Sequence, residues 1–167
     1  MTIFIVAPIL TYVVGSWIDA ALSLSKTPPF PINLVGGPIV FVSGLYTGIK
    51  STRVLYSVGL GLPWGEAKRR VQTSVLVKTG PYAHTRNPMI LGYSLLPCGM
   101  GLMFSSPGMF LFIPAAVVAV NVFIVKVYEE PNLEERFGEE YLEYRRRTPF
   151  LIPRPVKLLR ALLKSSE

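Results

Sequence analysis

Cysteine and histidine occur once each in this chain, as Cys98 and His84. A single cysteine excludes an intrachain disulfide and a cysteine-based zinc cluster, and a single histidine leaves a histidine metal site short of ligands, so no metal is expected. Charge is scarce as well. Of the 167 residues, 16% are charged and 50% hydrophobic, which is too apolar for an ordinary soluble domain of this length. No Lys or Arg precedes Lys26, so the basic start of a cleaved signal peptide is missing. Internal repeats, low-complexity segments and a glycine motif of the phosphate-binding kind are absent too. The net charge of +7 would suit a nucleic acid, but the basic residues sit beside hydrophobic runs. There they read as topology signals, and no nucleic-acid partner is expected.

What the chain has in quantity is apolar helix. Thr2 to Leu24 is hydrophobic apart from Asp19 and a few hydroxyls, long enough for a hydrocarbon core that needs about 20 residues; Asp19, near its far end, reaches headgroup level. Ser25 to Pro31, with Pro28, Pro29 and Pro31, reads as a tight external turn. A second span runs from Asn33 to Ile49, with Gly36, Gly37, Gly44 and Gly48 allowing close packing, and Lys50 and Arg53 end it. A polar region with a Gly/Pro loop and the basic cluster Lys68, Arg69 and Arg70 leads to Asn87; within it, Thr73 to Val77 suits a short strand or an interfacial piece equally. The third span is Pro88 to Phe104, where Pro97, Gly99 and Gly101 bend the helix or admit another backbone. Ser105 to Pro107 forms a second external turn, and Gly108 to Val127 a fourth span. Dense alternating charge then runs to Arg147. A tail with Lys157, Arg160 and Lys164 on one side and Leu158, Leu159, Leu162 and Leu163 on the other reads as an interfacial helix. Of the 17 Lys and Arg residues, only Lys26 lies in an external turn, so both termini are placed in the cytoplasm. The expected fold is a single all-α integral membrane domain over residues 1–167, with about four transmembrane helices, cytoplasmic cofactor-binding segments and a C-terminal interfacial helix.

Polar chemistry gathers in two cytoplasmic segments. The first is TGPYAHTRNPMILG, from Thr79 to Gly92, where Asn87 and Pro88 read as an N-cap and first helical residue. The open amides of that helix point back at Tyr82, His84 and Arg86, a place that welcomes a carboxylate or phosphate. The second begins at Glu129 and Glu130. Two adjacent carboxylates at the end of an apolar span are costly without partners, so they mark a site, and a cationic ligand or Arg86 would supply a partner. Phe137 and Gly138 interrupt the helical pattern, after which Glu139, Glu143 and Arg147 share one face and Glu140 and Tyr144 the next.

The order GPYxxxRNPMxxG, an apolar hairpin, EExxL and FGEEYLEYRRRTP resembles the isoprenylcysteine carboxyl methyltransferase family and its phospholipid methyltransferase relatives, membrane enzymes that use S-adenosylmethionine. The resemblance covers Val75 to Pro153; the first two spans match only as hydrophobic segments. It implies that Gly80, Pro81, Tyr82, Arg86, Pro88 and Gly92 wrap the cofactor with Glu129 and Glu130. It also implies that Tyr141, Tyr144, Glu143 and Arg147 close the pocket and meet the acceptor. The family often has His directly after the Arg, where this chain has Asn87. Asn87 can cap the helix and donate to a cofactor carboxylate, but it cannot titrate; His84 is a candidate substitute.

The chemistry expected is direct transfer of the sulfonium methyl to a lipophilic acceptor. An ionised carboxylate needs no base, only a cation such as Arg86 or Arg147 to hold it in line. A lipid amine would need a proton sink, with Glu129, Glu130 or Glu143 available. Nearby Glu carboxylates and the Tyr82 face would favour the sulfonium. Two other classes compete: a membrane sterol or lipid reductase using NADPH, and a non-enzymatic scaffold whose basic tail binds anionic lipid. Membrane lipids are partners on every reading.

Overall fold

The computed structural model describes residues 3–59 and 73–153, with side chains from residue 6. The cluster Lys68 to Arg70 and the amphipathic tail with Lys157, Arg160 and Lys164 lie outside the described residues. Helices form where the apolar runs predict them, and there is no strand among the described residues. Helix α1 is Ile3–Ala21, α2 is Ile32–Gly59 and α3 is Pro88–Met103. One continuous helical stretch then covers Gly108–Phe137. In it, a π-helical turn at Gly108–Phe112 leads into α4, Ile113–Ile124, and a second at Val125–Glu129 leads into α5, Glu130–Phe137. Gly138, at φ 51°, takes a conformation that favours glycine and separates α5 from α6, Glu139–Arg147. Two helical stretches among the described residues, Ile32–Gly59 and Gly108–Phe137, are long and apolar enough to cross a membrane; Val6–Ala21 and Pro88–Met103 are apolar but shorter.

One boundary differs from expectation. Helix α2 does not stop at Lys50 and Arg53 but continues to Gly59. A cation ends a hydrophobic run without ending a helix; no Pro or Gly intervenes before Gly59, and the Ser51 hydroxyl bonds back to the Thr47 carbonyl at 2.6 Å within the helix. Of the two forms open to Thr73 to Val77, the strand is not formed, and the Ser74 amide donates to the Gly59 carbonyl at 2.8 Å.

The chain forms two compact units: unit 1, Met1–Tyr46 with Gly92–Asn121, and unit 2, Thr47–Leu91 with Val122–Glu167. In unit 1 the helices meet backbone to backbone. A Cβ on Gly99 would lie 2.5 Å from the Phe41 amide nitrogen, and one on Gly44 would lie 2.9 Å from the Gly92 carbonyl. The small residues that suggested close packing in the second and third spans are what permit it. The two proline-containing turns are tied together: the Thr27 amide donates to the Ser105 carbonyl at 3.1 Å and the Ser105 hydroxyl to the Pro28 carbonyl at 2.8 Å. Asp19 does more than reach headgroups. It accepts from the Ser106 hydroxyl and, at 2.6 Å, from the Gly108 amide, so it supplies from α1 the acceptor that the start of the next helix needs.

Unit 2 is organised around aromatic residues of α6. Tyr141 and Tyr144 are buried with Leu76, and Leu133 and Phe137 pack against them. Arg136 donates to the Thr73 carbonyl, joining α5 to the segment before the first motif.

Candidate functional site

Within unit 2, the first motif is a short 3-10 turn, Gly80–Ala83, followed by an extended corner into α3. Gly80 enters the turn at φ 59°, and a Cβ there would also press on Val54 Cγ2 at 3.2 Å, so glycine is required twice over. Tyr82 is buried, and its carbonyl accepts from the Tyr144 hydroxyl at 2.7 Å. The next three residues are fastened to the end of the second motif. The Arg86 amide donates to the Pro149 carbonyl at 2.9 Å, while the Thr85 hydroxyl (3.1 Å) and the Asn87 side-chain amide (3.0 Å) both donate to the Phe150 carbonyl. Pro88, buried, opens α3 as expected.

This corner holds Arg86 against Glu130, the first residue of α5. Their side chains, 9% and 7% exposed, form an ion pair in which Arg86 Nη1 donates to Glu130 Oε1. The same Nη1 donates to the Tyr141 hydroxyl at 3.3 Å. The second oxygen of Glu130 accepts from Lys126 Nζ at 2.8 Å, from one helical turn earlier across the π-helical turn. The Phe150 ring lies under both cations, 5.4 Å from Arg86 Cζ and 4.8 Å from Lys126 Nζ. Two cations thus share one carboxylate, and the cluster carries a surplus positive charge. Arg86 Nε is buried without a hydrogen-bond partner among the described residues. Burial first, and the Glu130 charge second, push the Tyr141 phenol up to about 12. Burial raises Tyr144 further in the same direction. Both phenols therefore stay protonated at neutral pH and can donate.

Of the residues singled out in the sequence, Arg86, Glu130 and Tyr141 meet in one cluster, and Tyr82 and Tyr144 adjoin it. Gly80, Pro81, His84, Asn87 and Pro88 form the surrounding corner, and Glu129 is the half-buried neighbour of Glu130. Arg86 is the partner that Glu130 takes, of the two expected. The Asn87 side-chain amide donates one hydrogen bond to the Phe150 carbonyl. Gly92 belongs to unit 1. Glu143 and Arg147 pair with each other at 2.5 Å on the outer side of α6, 58% and 75% exposed. Glu140 pairs with Lys78 at 2.6 Å, and Glu139 lies 3.9 Å from Arg146.

Three members were not foreseen: Lys126, Thr85 and Phe150. Lys126 had a signal, being a lone cation inside an apolar run four residues before Glu130, at the spacing that pairs charges on a helix. Thr85 and Phe150 had none, because a hydroxyl in a loop and an aromatic after a helix are ordinary.

Comparison with known proteins adds an independent line. The family model described as phospholipid methyltransferase matches residues 32–140, so the likeness reaches back through the second span, which the motifs alone did not cover. Protein-S-isoprenylcysteine O-methyltransferase B of Arabidopsis thaliana is 34% identical over 86 residues, which is 51% of this chain and 43% of that protein. The chain spans less than half the length of that relative. No solved structure matches.

Proposed function

Because the chain belongs to the phospholipid methyltransferase family, we propose that it is an integral membrane enzyme that uses S-adenosylmethionine to methylate a lipophilic acceptor. The observation that carries this reading is the buried Arg86–Glu130 pair with Lys126 on its second oxygen, which joins the two motif blocks through charge. The residues fit the amino-acid end of the cofactor: its carboxylate matches the unspent Arg86 Nε and the surplus positive charge. Arg86 and Tyr141 would hold that carboxylate, with the corner from Gly80 to Pro88 around it. When bound, the cofactor supplies an electrophilic methyl group.

The chain's own residues favour an anionic acceptor, of the isoprenylcysteine carboxylate kind, over a lipid amine. A carboxylate arrives ionised and needs only a cation to orient it. An amine must lose a proton, and Glu130, with both oxygens accepting from cations, and Glu143, paired with Arg147, are badly placed to take one, so Glu129 would have to serve. Arg147, paired with Glu143, is the second cation assigned to the acceptor's carboxylate, a role its 75% exposure leaves accessible. Four spans with both termini in the cytoplasm complete the reading, supported by the concentration of Lys and Arg in unit 2, where all but Lys26 lie.

Calorimetric titration of detergent-purified protein with S-adenosylhomocysteine, beside Glu130→Gln, tests this. Micromolar binding weakened at least tenfold in the variant is expected. A folded wild type that gives no heat would overturn the reading.

A further inference from the structure

Unit 1 contains only two charged side chains, Asp19 and Lys26, and both line the same cavity. The cavity, of about 560 Å³, opens between the end of α1 and the two tied turns. Its walls include Ser16 and Ser105 and the edge-to-face pair of Tyr12 and Phe104, whose ring centroids lie 5.4 Å apart. None of these residues belongs to the cluster around Arg86.

Asp19, near the end of an apolar helix, is a costly place for a carboxylate and marks a functional position by default, and the exposed Lys26 of the adjoining turn lines the same cavity. Asp19 has two donors, Ser106 and Gly108, and a carboxylate has room for about two more. Lys26 has no ion-pair partner among the described residues. A free anion entering here would meet Asp19 and a free cation would meet Lys26, so neither is the natural guest. A group carrying both charges a few bonds apart, with apolar chains leaving through the open side, satisfies every wall at once.

We propose that this cavity binds the headgroup of one zwitterionic phospholipid, its phosphate on Lys26 with the hydroxyl of Ser16, and its quaternary or primary ammonium directed to Asp19 and the faces of Tyr12 and Phe104. The site is distinct from the acceptor site in unit 2 and stands whether or not the chain transfers methyl groups.

Native mass spectrometry of the full chain, delipidated in mild detergent and titrated with dioleoylphosphatidylcholine, is the test. The choline nitrogen has no lone pair to accept a methyl group, so no transfer accompanies the titration, and the variants at Lys26 and Ser16 separate this site from acceptor binding in unit 2. One phosphatidylcholine per chain is expected, with at least tenfold weaker binding in Lys26→Ala and in Ser16→Phe, which fills the cavity, and no change in Arg86→Ala. Dioleoylphosphatidylglycerol, with phosphate but no ammonium, is expected to bind at least fivefold more weakly than the choline lipid. Gel filtration shows which variants are folded. Equal binding by wild type and a folded Lys26→Ala, or equal binding of the two lipids, would overturn the proposal.

Discussion

Apart from Asp19 and Lys26, unit 1 has no charged side chain, whereas unit 2 carries every other Lys, Arg, Asp and Glu of the chain. Unit 1 is held by glycines that let backbones touch, such as Gly99 at Phe41 and Gly44 at Gly92, and by serine hydroxyls on carbonyls. Unit 2 is held by ion pairs and by tyrosine hydroxyls on carbonyls, with Arg86, Glu130, Tyr82 and Tyr144 as its ties. The difference teaches where each kind of contact works. Lipid gives apolar side chains no reason to leave it, so packing there depends on fit and small residues. Charge can be buried only where partners are assembled around it, and that same assembly provides a receptor for a charged ligand. On the function proposed above, stability and cofactor binding in unit 2 rest on the same ion pair, Arg86 with Glu130.

Removing Glu130 should give the largest effect. Glu130→Ala leaves the Arg86 guanidinium buried without its anion, which costs about 3–5 kcal/mol, and methyl transfer should disappear. Glu130→Gln keeps the shape and should separate the two quantities: thermal unfolding in detergent reports the first, S-adenosylhomocysteine binding the second. A variant that lost binding at unchanged stability would break the identity of the two.

Unit 1 should fail differently. Gly99→Val forces a side chain against the Phe41 amide, and overpacking of this kind costs about 1–3 kcal/mol. Because no charge takes part, the loss should be the same in low and high salt, while the exposed ion pairs of unit 2, such as Glu143 with Arg147, weaken as salt rises. Unfolding midpoints measured across salt concentrations check both halves of the contrast.

The same contrast decides what was legible in the sequence. Helix positions in unit 1 follow from apolar run length, and the glycine contacts from composition, because both are local properties. The pairing of Arg86 with Glu130 was one of two partners that the sequence allowed, since a buried carboxylate must find a cation. Lys126 was overlooked inside a hydrophobic run, and Asp19 was read as a headgroup residue because its partners, Ser106 and Gly108, lie far along the chain. The end of α2 was set too early by treating a change in polarity as a change in backbone. The corner fastened by Phe150 was invisible, as it depends on a carbonyl and not on a side-chain type.

Alkaline titration probes the buried tyrosines of unit 2 at smaller amplitude. Tyr141 ionises at about 12 in the folded chain against 10.0 ordinarily, and Tyr144 is raised as well. A phenol whose folded value lies above its unfolded one contributes stability that is fully present below pH 10 and is lost as pH climbs toward 12. Stability should therefore decline over that window and less so in Tyr141→Phe, with phenolate absorbance showing late-ionising tyrosines.

The smallest effect on stability is expected where unit 2 has an ion pair in solvent. Glu143 and Arg147 make a contact as short as many buried ones, yet at 58% and 75% exposure water screens it, and such a pair at this helical spacing contributes about 0.3–0.5 kcal/mol. Arg147→Ala should leave the unfolding midpoint almost where it was and S-adenosylhomocysteine binding unchanged. If Arg147 is the cation that meets the acceptor, the same substitution raises the acceptor KM severalfold, and Arg147→Lys restores part of it. A KM that does not move would leave Arg86 as the one cation required by the chemistry, and would confine the site to the buried side of the comparison.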